Sequence, residues 1–147
     1  ACKLFRTKIQ MSRIFLDTNV ILDLLAQRAP FFDSIARLAT LADQKKLILV
    51  ASPLSFTTVD YILNRYESSE SVLSKLRKFK IICEICEVNE ETVEKGLNSN
   101  FKDFEDSIQY YSAVQSNCSI IITRNGKDFK NSNIPIMTAE EYLSSII

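Results

Sequence analysis

Short and almost uninterrupted apolar runs constrain this fold more than any other feature of the sequence. The segments LILV (47–50) and IIIT (120–123) contain at most one polar residue, and strands of this kind are covered by other elements on both faces. Longer segments with apolar residues at helical spacing lie between such runs, as in FFDSIARLATLADQKK (31–46). Because strand-like and helix-like segments alternate, the pattern indicates a parallel sheet with helices on both sides, and hence an α/β fold.

The same patterns predict five strands and seven helices. We place the strands at 13–17, 47–52, 81–88, 119–123 and 134–137. We place the helices at 20–28, 31–46, 53–66, 69–80, 89–99, 103–116 and 139–146. Three helix starts carry typical N-terminal signals, because Pro53 follows the capping residue Ser52, Asn89 opens the fifth helix and Thr138 precedes the seventh.

The length of the chain, 147 residues, suits a single domain with one substantial core. We assign residues 11–147 to that domain and residues 1–10 to a basic tail or extension. The tail lacks the apolar region of a signal peptide. No apolar run approaches the ~20 residues of a transmembrane helix, so we expect no membrane segment.

Acidic residues follow a strand or open a helix at three separate places. Asp17 ends the first predicted strand, Asp128 follows the fourth, and Asp106 lies in the first turn of helix 103–116. Ligands of open parallel sheets bind outside the carboxyl ends of the strands, so the three acids could meet at one edge. Oxygen ligands in a chain without histidine favour Mg²⁺ or Mn²⁺ over zinc. Alternatively, each acid serves locally as a helix cap or a loop residue.

Basic residues cluster although the net charge is zero, with 18 basic and 18 acidic residues. The runs KLRKFK (75–80) and RNGKDFK (124–130) are basic, whereas the charged residues within 84–106 are mostly acidic. Basic patches around an acidic centre would suit a metal-dependent enzyme that holds a polyanion. Charge runs are also typical of solvated helix faces, and the sequence leaves both interpretations open.

Two cysteines form a C-x-x-C pair, Cys83 and Cys86, inside the strand-like segment KIICEICEV. Alternate residues of a strand point to opposite faces, so these two thiols are expected to be separated by the sheet. Zinc would need two more ligands, which only Cys2 and Cys118 could supply. We therefore predict buried free thiols, which favour a reducing, cytoplasmic location.

Four segments together resemble the PIN domain family: FLDTNVILDLL (15–25), ASPLSFTTVDYIL (51–63), FKDFEDSIQYYSAVQSNCSIIITRNGKDF (101–129) and IPIMTAEEYL (134–143). They occur in the family's order and cover nearly all of residues 12–143, and the third is the most specific. The resemblance implies a three-layer α/β/α sandwich around a mostly parallel sheet of about five strands. It also implies a Mg²⁺- or Mn²⁺-dependent endoribonuclease, often the toxin of a toxin–antitoxin pair, as in VapC-like proteins.

The family's metal-binding positions carry over to this chain residue by residue. The resemblance implies that Asp17 and Asp106 bind the metal directly and that Asp128, with Asn125 nearby, is a third ligand. It implies that Glu105, the neighbour of Asp106, acts through these ligands rather than on the metal itself.

Other polar positions are expected around those ligands. Asn19 and Thr123 would orient ligands or water, and Asp23 would either support them or be structural. Arg124 and Lys127, together with Asn125, would contact the nucleic acid.

One departure from the family concerns the helix after the second strand, which usually carries an early glutamate. This chain has Thr57, Thr58 and then Asp60 there. Asp60 would take the catalytic role of that glutamate with a shorter reach, or would miss the site and leave Asp23 or Glu105 to compensate.

Three functions therefore compete. The first is metal-dependent hydrolysis of RNA by activated water, since no histidine is present to build a nucleophilic dyad. The second is a non-catalytic PIN-like module that binds RNA or protein, which the missing glutamate permits. The third is a phosphatase of the haloacid-dehalogenase type, which requires an acid where this chain has Asn19. The resemblance implies RNA as substrate and an antitoxin protein as partner, and it leaves a homodimer open.

Overall fold

A computed structural model describes residues 11–146, in which five parallel strands form one sheet with the order β3-β2-β1-β4-β5. The strands are β1 (Arg13–Leu16), β2 (Ile48–Ala51), β3 (Cys83–Ile85), β4 (Ile120–Ile122) and β5 (Ile136–Met137). All four pairings are parallel. The proposed tail, residues 1–10, lies outside the described residues.

Seven helices cover the sheet in the described part of the chain. They are α1 (Thr18–Leu25), α2 (Phe32–Asp43), α3 (Pro53–Leu63), α4 (Ser69–Ile81), α5 (Glu90–Leu97), α6 (Phe104–Gln115) and α7 (Ala139–Ser145). The hydroxyl or amide oxygens of Ser52, Asn89 and Thr138 cap α3, α5 and α7 as the sequence predicts. The predicted α/β/α sandwich with its parallel five-stranded sheet is confirmed.

The strands separate two cores, as expected for a sheet covered on both faces. Ile14 and Leu16 of β1 contact the larger core under α1, α2, α3, α4 and α7, whereas Phe15 contacts the smaller core under α6. All three side chains are fully buried. This alternation follows from the two-residue period of a strand, and β1 therefore forms the centre of the molecule.

The helices α5 and α6 approach each other closely at Gly96. A Cβ atom at this position would lie 2.7 Å from Ser107 Oγ and 2.9 Å from Ile108 Cδ1. Such distances are too short for non-bonded atoms, so a larger residue here would force the side chains of Ser107 and Ile108 to shift. The loop that follows α5 is held in place by this packing.

The predicted third strand is shorter than its apolar run suggests. Helix α4 continues to Ile81, so the edge strand β3 begins only at Cys83, and it ends at Ile85. The expectation for the cysteines is confirmed, since Cys83 lies in the larger core and Cys86 in the smaller one. Burial raises the pKa of each thiol to about 11.

The helices are short, and α4 has 13 residues. Within residues 11–146, every helix falls short of the length and apolar character needed to cross a bilayer.

Candidate active site

Asp17 lies at the carboxyl end of β1 and caps α1. Its Oδ1 accepts a hydrogen bond from the backbone N–H of Thr18 at 2.8 Å, and its Oδ2 accepts one from Thr123 Oγ1 at 2.8 Å. The same Thr123 hydroxyl accepts a hydrogen bond from the backbone N–H of Asn125 at 3.1 Å. Only 7% of Asp17 is exposed. Both carboxylate oxygens are thus fixed between the ends of two neighbouring strands, β1 and β4.

Asp106 lies in the first turn of α6, where the Asp103 side chain accepts a hydrogen bond from its backbone N–H at 3.0 Å. Burial is the main cause that raises the pKa of the Asp106 carboxyl to about 7, followed by the charges of Asp103, Asp17, Asp128 and Glu105. A carboxylate resists ionisation when it is desolvated and surrounded by like charge. The topology therefore brings the predicted acids Asp17, Asp106 and Asp128 within electrostatic reach of one another.

The pKa values of two neighbouring acids shift in the same direction. The pKa of Asp17 is raised mainly by burial and further by Asp128, against the hydrogen bonds from Thr123 and Thr18. The pKa of Glu105 is also raised, by burial first and then by Asp103 and Asp17. Within residues 11–146, no group of three or more acidic or cysteine side chains is arranged as a metal-binding site.

A cleft of about 490 Å³ opens beside these acids. Asp103, Asp106 and Asp128 line one part of it, together with three lysines. These lysines are Lys102, Lys127 and Lys130. Asp128 and Lys127 belong to the short 3₁₀ helix Gly126–Phe129 that follows β4. The cleft thus combines a cluster of carboxylates with ammonium groups that suit a phosphate backbone.

Arg124 does not extend into this cleft as a free cation. Its Nε donates to Asp23 Oδ2 at 2.7 Å and its Nη2 donates to Asp23 Oδ1 at 3.2 Å. The guanidinium also lies over the ring of Phe31, with 4.1 Å between its central carbon and the ring centroid. Arg124 is thus paired with Asp23, which is 1% exposed, and its contact with nucleic acid stays a prediction. Asp23 itself serves as the buried anion that pairs with Arg124.

Asp60 is not placed with the other acids. Its Oδ1 accepts a hydrogen bond from Asn64 Nδ2 at 2.9 Å, within the last turn of α3. Ser55 is the α3 residue that contacts the site, and five residues of helix rotate Asp60 to a different side and carry it about 7 Å along the axis. The suggestion that Asp60 replaces the glutamate is not supported by this geometry.

A buried polar trio was missed by the sequence analysis. Gln109 Nε2 donates to Thr18 Oγ1 at 2.8 Å and to Ser55 Oγ at 2.9 Å, and the two hydroxyl oxygens lie 2.7 Å apart. The Thr18 hydroxyl is also 3.5 Å from Glu105 Oε1. This trio joins α1, α3 and α6 directly behind the carboxylates. The sequence signal was weak: Thr18 and Ser55 are small polar residues in the first turns of α1 and α3, and Gln109 lies within α6.

The remaining predicted residues lie at different distances from the carboxylates. Asn19 is half-buried in the first turn of α1, and Asn125 contributes its backbone N–H to Thr123. The basic run KLRKFK (75–80) belongs to α4, whose C-terminus leads directly into the amino end of β3. The carboxylates lie at the carboxyl ends of the strands. The last turn of α4, with Lys78 and Lys80, therefore lies on the opposite side of the sheet, at the amino ends of the strands.

Comparison of solved structures shows how widely this fold is shared. VapBC2 from Rickettsia felis, solved bound to a DNA fragment from its promoter, has a TM-score of 0.63 and 19% identity, with 85% of this chain and 96% of that chain covered. VapC20 from Mycobacterium tuberculosis, a toxin that cleaves the sarcin–ricin loop, has a TM-score of 0.62 and 14% identity, over 78% and 92% of the two chains. FitAcB from Neisseria gonorrhoeae has a TM-score of 0.56 and 14% identity, over 86% and 98%.

The sequence itself is similar to Ribonuclease VapC1 from Aquifex aeolicus (strain VF5). The two are 32% identical over 136 residues, which cover 88% of this chain and 92% of that protein. Residues 13–127 also match the PIN domain, a segment that runs from β1 into the 3₁₀ helix after β4. The matched segment contains Asp17 and Asp106 and ends one residue before Asp128. Because it covers well over half of the sequence, the chain belongs to the PIN domain family.

Proposed function

We propose that the protein is a metal-dependent endoribonuclease that hydrolyses phosphodiester bonds in RNA. The observation that carries this proposal is the cluster of Asp17, Asp106 and Asp128 beside a cleft lined by lysines. The similarity to a ribonuclease over 88% of the chain supports it. A small phosphomonoester would need no such extended cationic cleft, which disfavours the phosphatase alternative.

The donor set of the cluster fits a hard divalent cation. All three side chains offer oxygen atoms, and their mutual repulsion is relieved when a cation lies among them. Mg²⁺ is commonly held by one or two carboxylates, with water and phosphate oxygens completing its shell, so a closed protein cage is not required. Asp17, Asp106 and Asp128 would therefore hold Mg²⁺ or Mn²⁺. When bound, such an ion activates water and neutralises charge on the phosphodiester.

The residues around the carboxylates have separate tasks in this proposal. Thr123 and the Thr18 N–H orient the Asp17 carboxylate, because each donates to a different oxygen. Lys127 and Lys130 bind the phosphates on either side of the reacting one. Glu105 acts next to Asp106 through its charge and its contact with Thr18. The trio of Gln109, Thr18 and Ser55 keeps α1, α3 and α6 at a fixed separation.

We infer further that the protein acts in the cytoplasm as the toxin of a toxin–antitoxin pair. VapBC2 is a relative in fold that was solved as a complex, and the sequence relative is a VapC ribonuclease. A partner protein that covers the cleft would control the activity. A homodimer of this chain is compatible with the proposal, and size-exclusion chromatography with light scattering measures it.

The experiment that tests the activity uses a labelled single-stranded RNA with Mn²⁺, with Mg²⁺ and with EDTA. Wild type should cleave with either metal and not in EDTA. Asp106→Asn should lose cleavage by roughly a hundredfold or more, the scale typical of one electrostatic group in a water-excluded site. The matched control is Asp43→Asn, which makes the same change at the exposed end of α2, and it should cleave as wild type does.

The outcome also decides between the two leading functions. Binding of RNA without cleavage in Mn²⁺ would indicate the non-catalytic module and reject the enzyme. Cleavage that persists in EDTA would show that the reaction does not depend on a divalent metal.

A further inference from the structure

The tripeptide Asn-Ser-Asn occurs twice, at 98–100 after α5 and at 131–133 before β5. The fold brings these two loops together around a cavity of about 290 Å³. The side chains of Phe101, Tyr110 and Tyr111 complete its lining. Asn100, Phe101 and Asn131 also line the carboxylate cleft, so the two spaces adjoin each other at these residues.

The central serine of each tripeptide fixes the backbone of its loop. Ser99 Oγ donates to the carbonyl of Gly96 at 2.8 Å and accepts from the N–H of Phe101 at 3.4 Å. Ser132 Oγ donates to the carbonyl of Ile134 at 2.7 Å and accepts from the N–H of the same residue at 3.1 Å. Both serines thus serve their own loop, which leaves the flanking asparagines for other partners.

The flanking asparagines present unused hydrogen-bonding groups. The side-chain amides of Asn100, Asn131 and Asn133 make no hydrogen bond to another of the described residues, whereas Asn98 uses one N–H on the carbonyl of Glu94. Each free amide offers two donors and an acceptor. Because the loops are fixed, little order has to be imposed on them when a ligand binds.

Aromatic rings form the base of the cavity. The ring centroids of Phe101 and Tyr110 lie 5.3 Å apart, and those of Tyr110 and Tyr111 lie 5.1 Å apart. The buried Tyr110 hydroxyl accepts a hydrogen bond from the N–H of Asn133 at 3.0 Å and so holds the second loop on this base. Tyr111 is half-buried and lines the cavity, and its ring also packs edge-on against the ring of Phe101.

The two adjoining spaces differ sharply in the charge of their lining residues. The carboxylate cleft carries Lys102, Lys127 and Lys130 together with acids, whereas every residue that lines the asparagine cavity is uncharged. A cationic stretch beside a neutral one with amides and aromatic rings matches the alternation of phosphate and base along a single-stranded nucleic acid. The centre of a protein-binding surface is mainly apolar, whereas this cavity presents several side-chain amides.

We propose that the two Asn-Ser-Asn loops form a nucleobase subsite that binds one unstacked base of single-stranded RNA next to the phosphate in the lysine-lined cleft. The asparagines read the edge of the base, and Tyr111 stacks on its face. This subsite rests on the proposed ribonuclease function and adds base preference at one position beside the cut.

The test compares wild type with the double variant Asn100→Ala, Asn131→Ala and with Gln115→Ala. Gln115 is an exposed amide at the other end of α6, so its removal is a matched control. The first measurement is cleavage in Mn²⁺ of single-stranded RNA randomised around one fixed scissile position. Wild type and Gln115→Ala should prefer one base at one flanking position by roughly tenfold, the scale of one two-point base contact. The double variant should reduce this preference to about twofold or less.

The second measurement is binding of short single-stranded homopolymers in an Asp17→Asn background. Tyr111→Leu should weaken binding of every sequence by roughly five- to a hundredfold, as expected when one base no longer stacks on an aromatic ring. Melting temperatures of all variants are measured first, so that unfolded variants are recognised.

Each outcome has a distinct meaning. A base preference that survives in the double variant, or its absence from wild type, overturns the subsite and leaves the ribonuclease intact. If wild type binds RNA without cleaving it, the ribonuclease function is rejected. The effect of Tyr111→Leu on homopolymer binding then decides by itself whether the subsite exists. A wild type that binds no RNA overturns both.

Discussion

The Arg124 guanidinium makes two hydrogen bonds to the buried Asp23 carboxylate, at 2.7 and 3.2 Å. This contact joins the segment after β4 to the last turn of α1, the helix that Asp17 caps. The basic residue that a sequence pattern assigns to substrate therefore holds two elements of the site together. Its positive charge also opposes, in small part, the rise in the pKa of Asp17 that burial causes, which links the ion pair to the cluster electrostatically.

The first prediction concerns this pair. Arg124→Ala should lower the free energy of unfolding by about 3 kcal/mol, because it leaves a buried carboxylate without its main partner. Arg28 lies 3.9 Å from Asp23 and is its other cation, so the loss should fall at the lower end of the range for buried pairs. Denaturant unfolding measures the change.

A double variant and a surface control complete this test. Asp23→Leu combined with Arg124→Met removes both charges and should recover most of the lost stability. Arg37→Ala, at an exposed position of α2, should change little. Equal stability of Arg124→Ala and Arg37→Ala would show that the pair is not structural.

The second prediction concerns salt dependence. Replacing Lys127 and Lys130 by Ala should weaken RNA binding for all sequences alike and reduce the log–log slope of affinity against salt by roughly 0.7 for each phosphate that is no longer neutralised. Lys78→Ala with Lys80→Ala removes as much charge at the opposite edge of the sheet and should leave the slope unchanged. Fluorescence anisotropy at several salt concentrations distinguishes the two pairs. If the two double variants reduce the slope equally, RNA does not bind specifically along the lysine-lined cleft.

The third prediction concerns metal binding at Asp17. A cation that binds only the folded state stabilises it by about 1.4 kcal/mol at ten times its dissociation constant. For a chain of this length the melting temperature should rise by roughly 3–6 °C in Mn²⁺. Asp17→Asn should show much less of this rise, and its metal-free stability should be unchanged or slightly higher, since burial and Asp128 disfavour the charged form.

The control for this experiment is Asp43→Asn, which should respond to Mn²⁺ as wild type does. If Asp17 serves only as the cap of α1, the pattern reverses. Asp17→Asn then melts lower, and both proteins respond equally to the metal.

The fourth prediction is a pH dependence of the metal-free protein. The pKa of Asp106 is about 7 in the folded chain, against an ordinary value of 3.8, so between these values the folded chain keeps a proton that the unfolded chain has lost. Stability should therefore fall as the pH rises toward about 7 and then level off. Asp106→Asn should show a smaller fall between pH 5.5 and 8, measured by thermal melts in EDTA.

The interpretation of that experiment is simplified by composition. The chain contains no histidine, so no imidazole titrates in the same range. Raised pKa values of Asp17 and Glu105 act in the same direction and should leave part of the slope in the variant. An unchanged slope in Asp106→Asn would show that this carboxyl is ordinary.

Local signals explain why most of the fold could be predicted. Caps such as Ser52, Asn89 and Thr138 act within one helical turn, so the sequence near them determines where a helix starts. The grouping of Asp17 with Asp128 followed from one topological rule, since each comes after a strand and parallel strands present their carboxyl ends on the same side of the sheet.

Side-chain partners far apart in sequence could not be predicted in this way. Arg124 and Asp23 are separated by 101 positions, and nothing local distinguishes this arginine from one that faces solvent. Gln109 reaches Ser55 across 54 positions for the same reason. The location of KLRKFK was predictable, because a helix that leads into a parallel strand must end at the amino edge of the sheet.

The separation of Cys83 from Cys86 by the sheet has a practical consequence. These thiols cannot bond to each other in the native chain, and each reacts with an alkylating reagent only when its own side of the molecule opens. Cys83 therefore reports on opening beneath α4, and Cys86 on opening beneath α6. Mass spectrometry of pulse-alkylated protein would read the two rates in one sample, so the unmodified chain carries its own pair of probes for the order in which its two halves come apart.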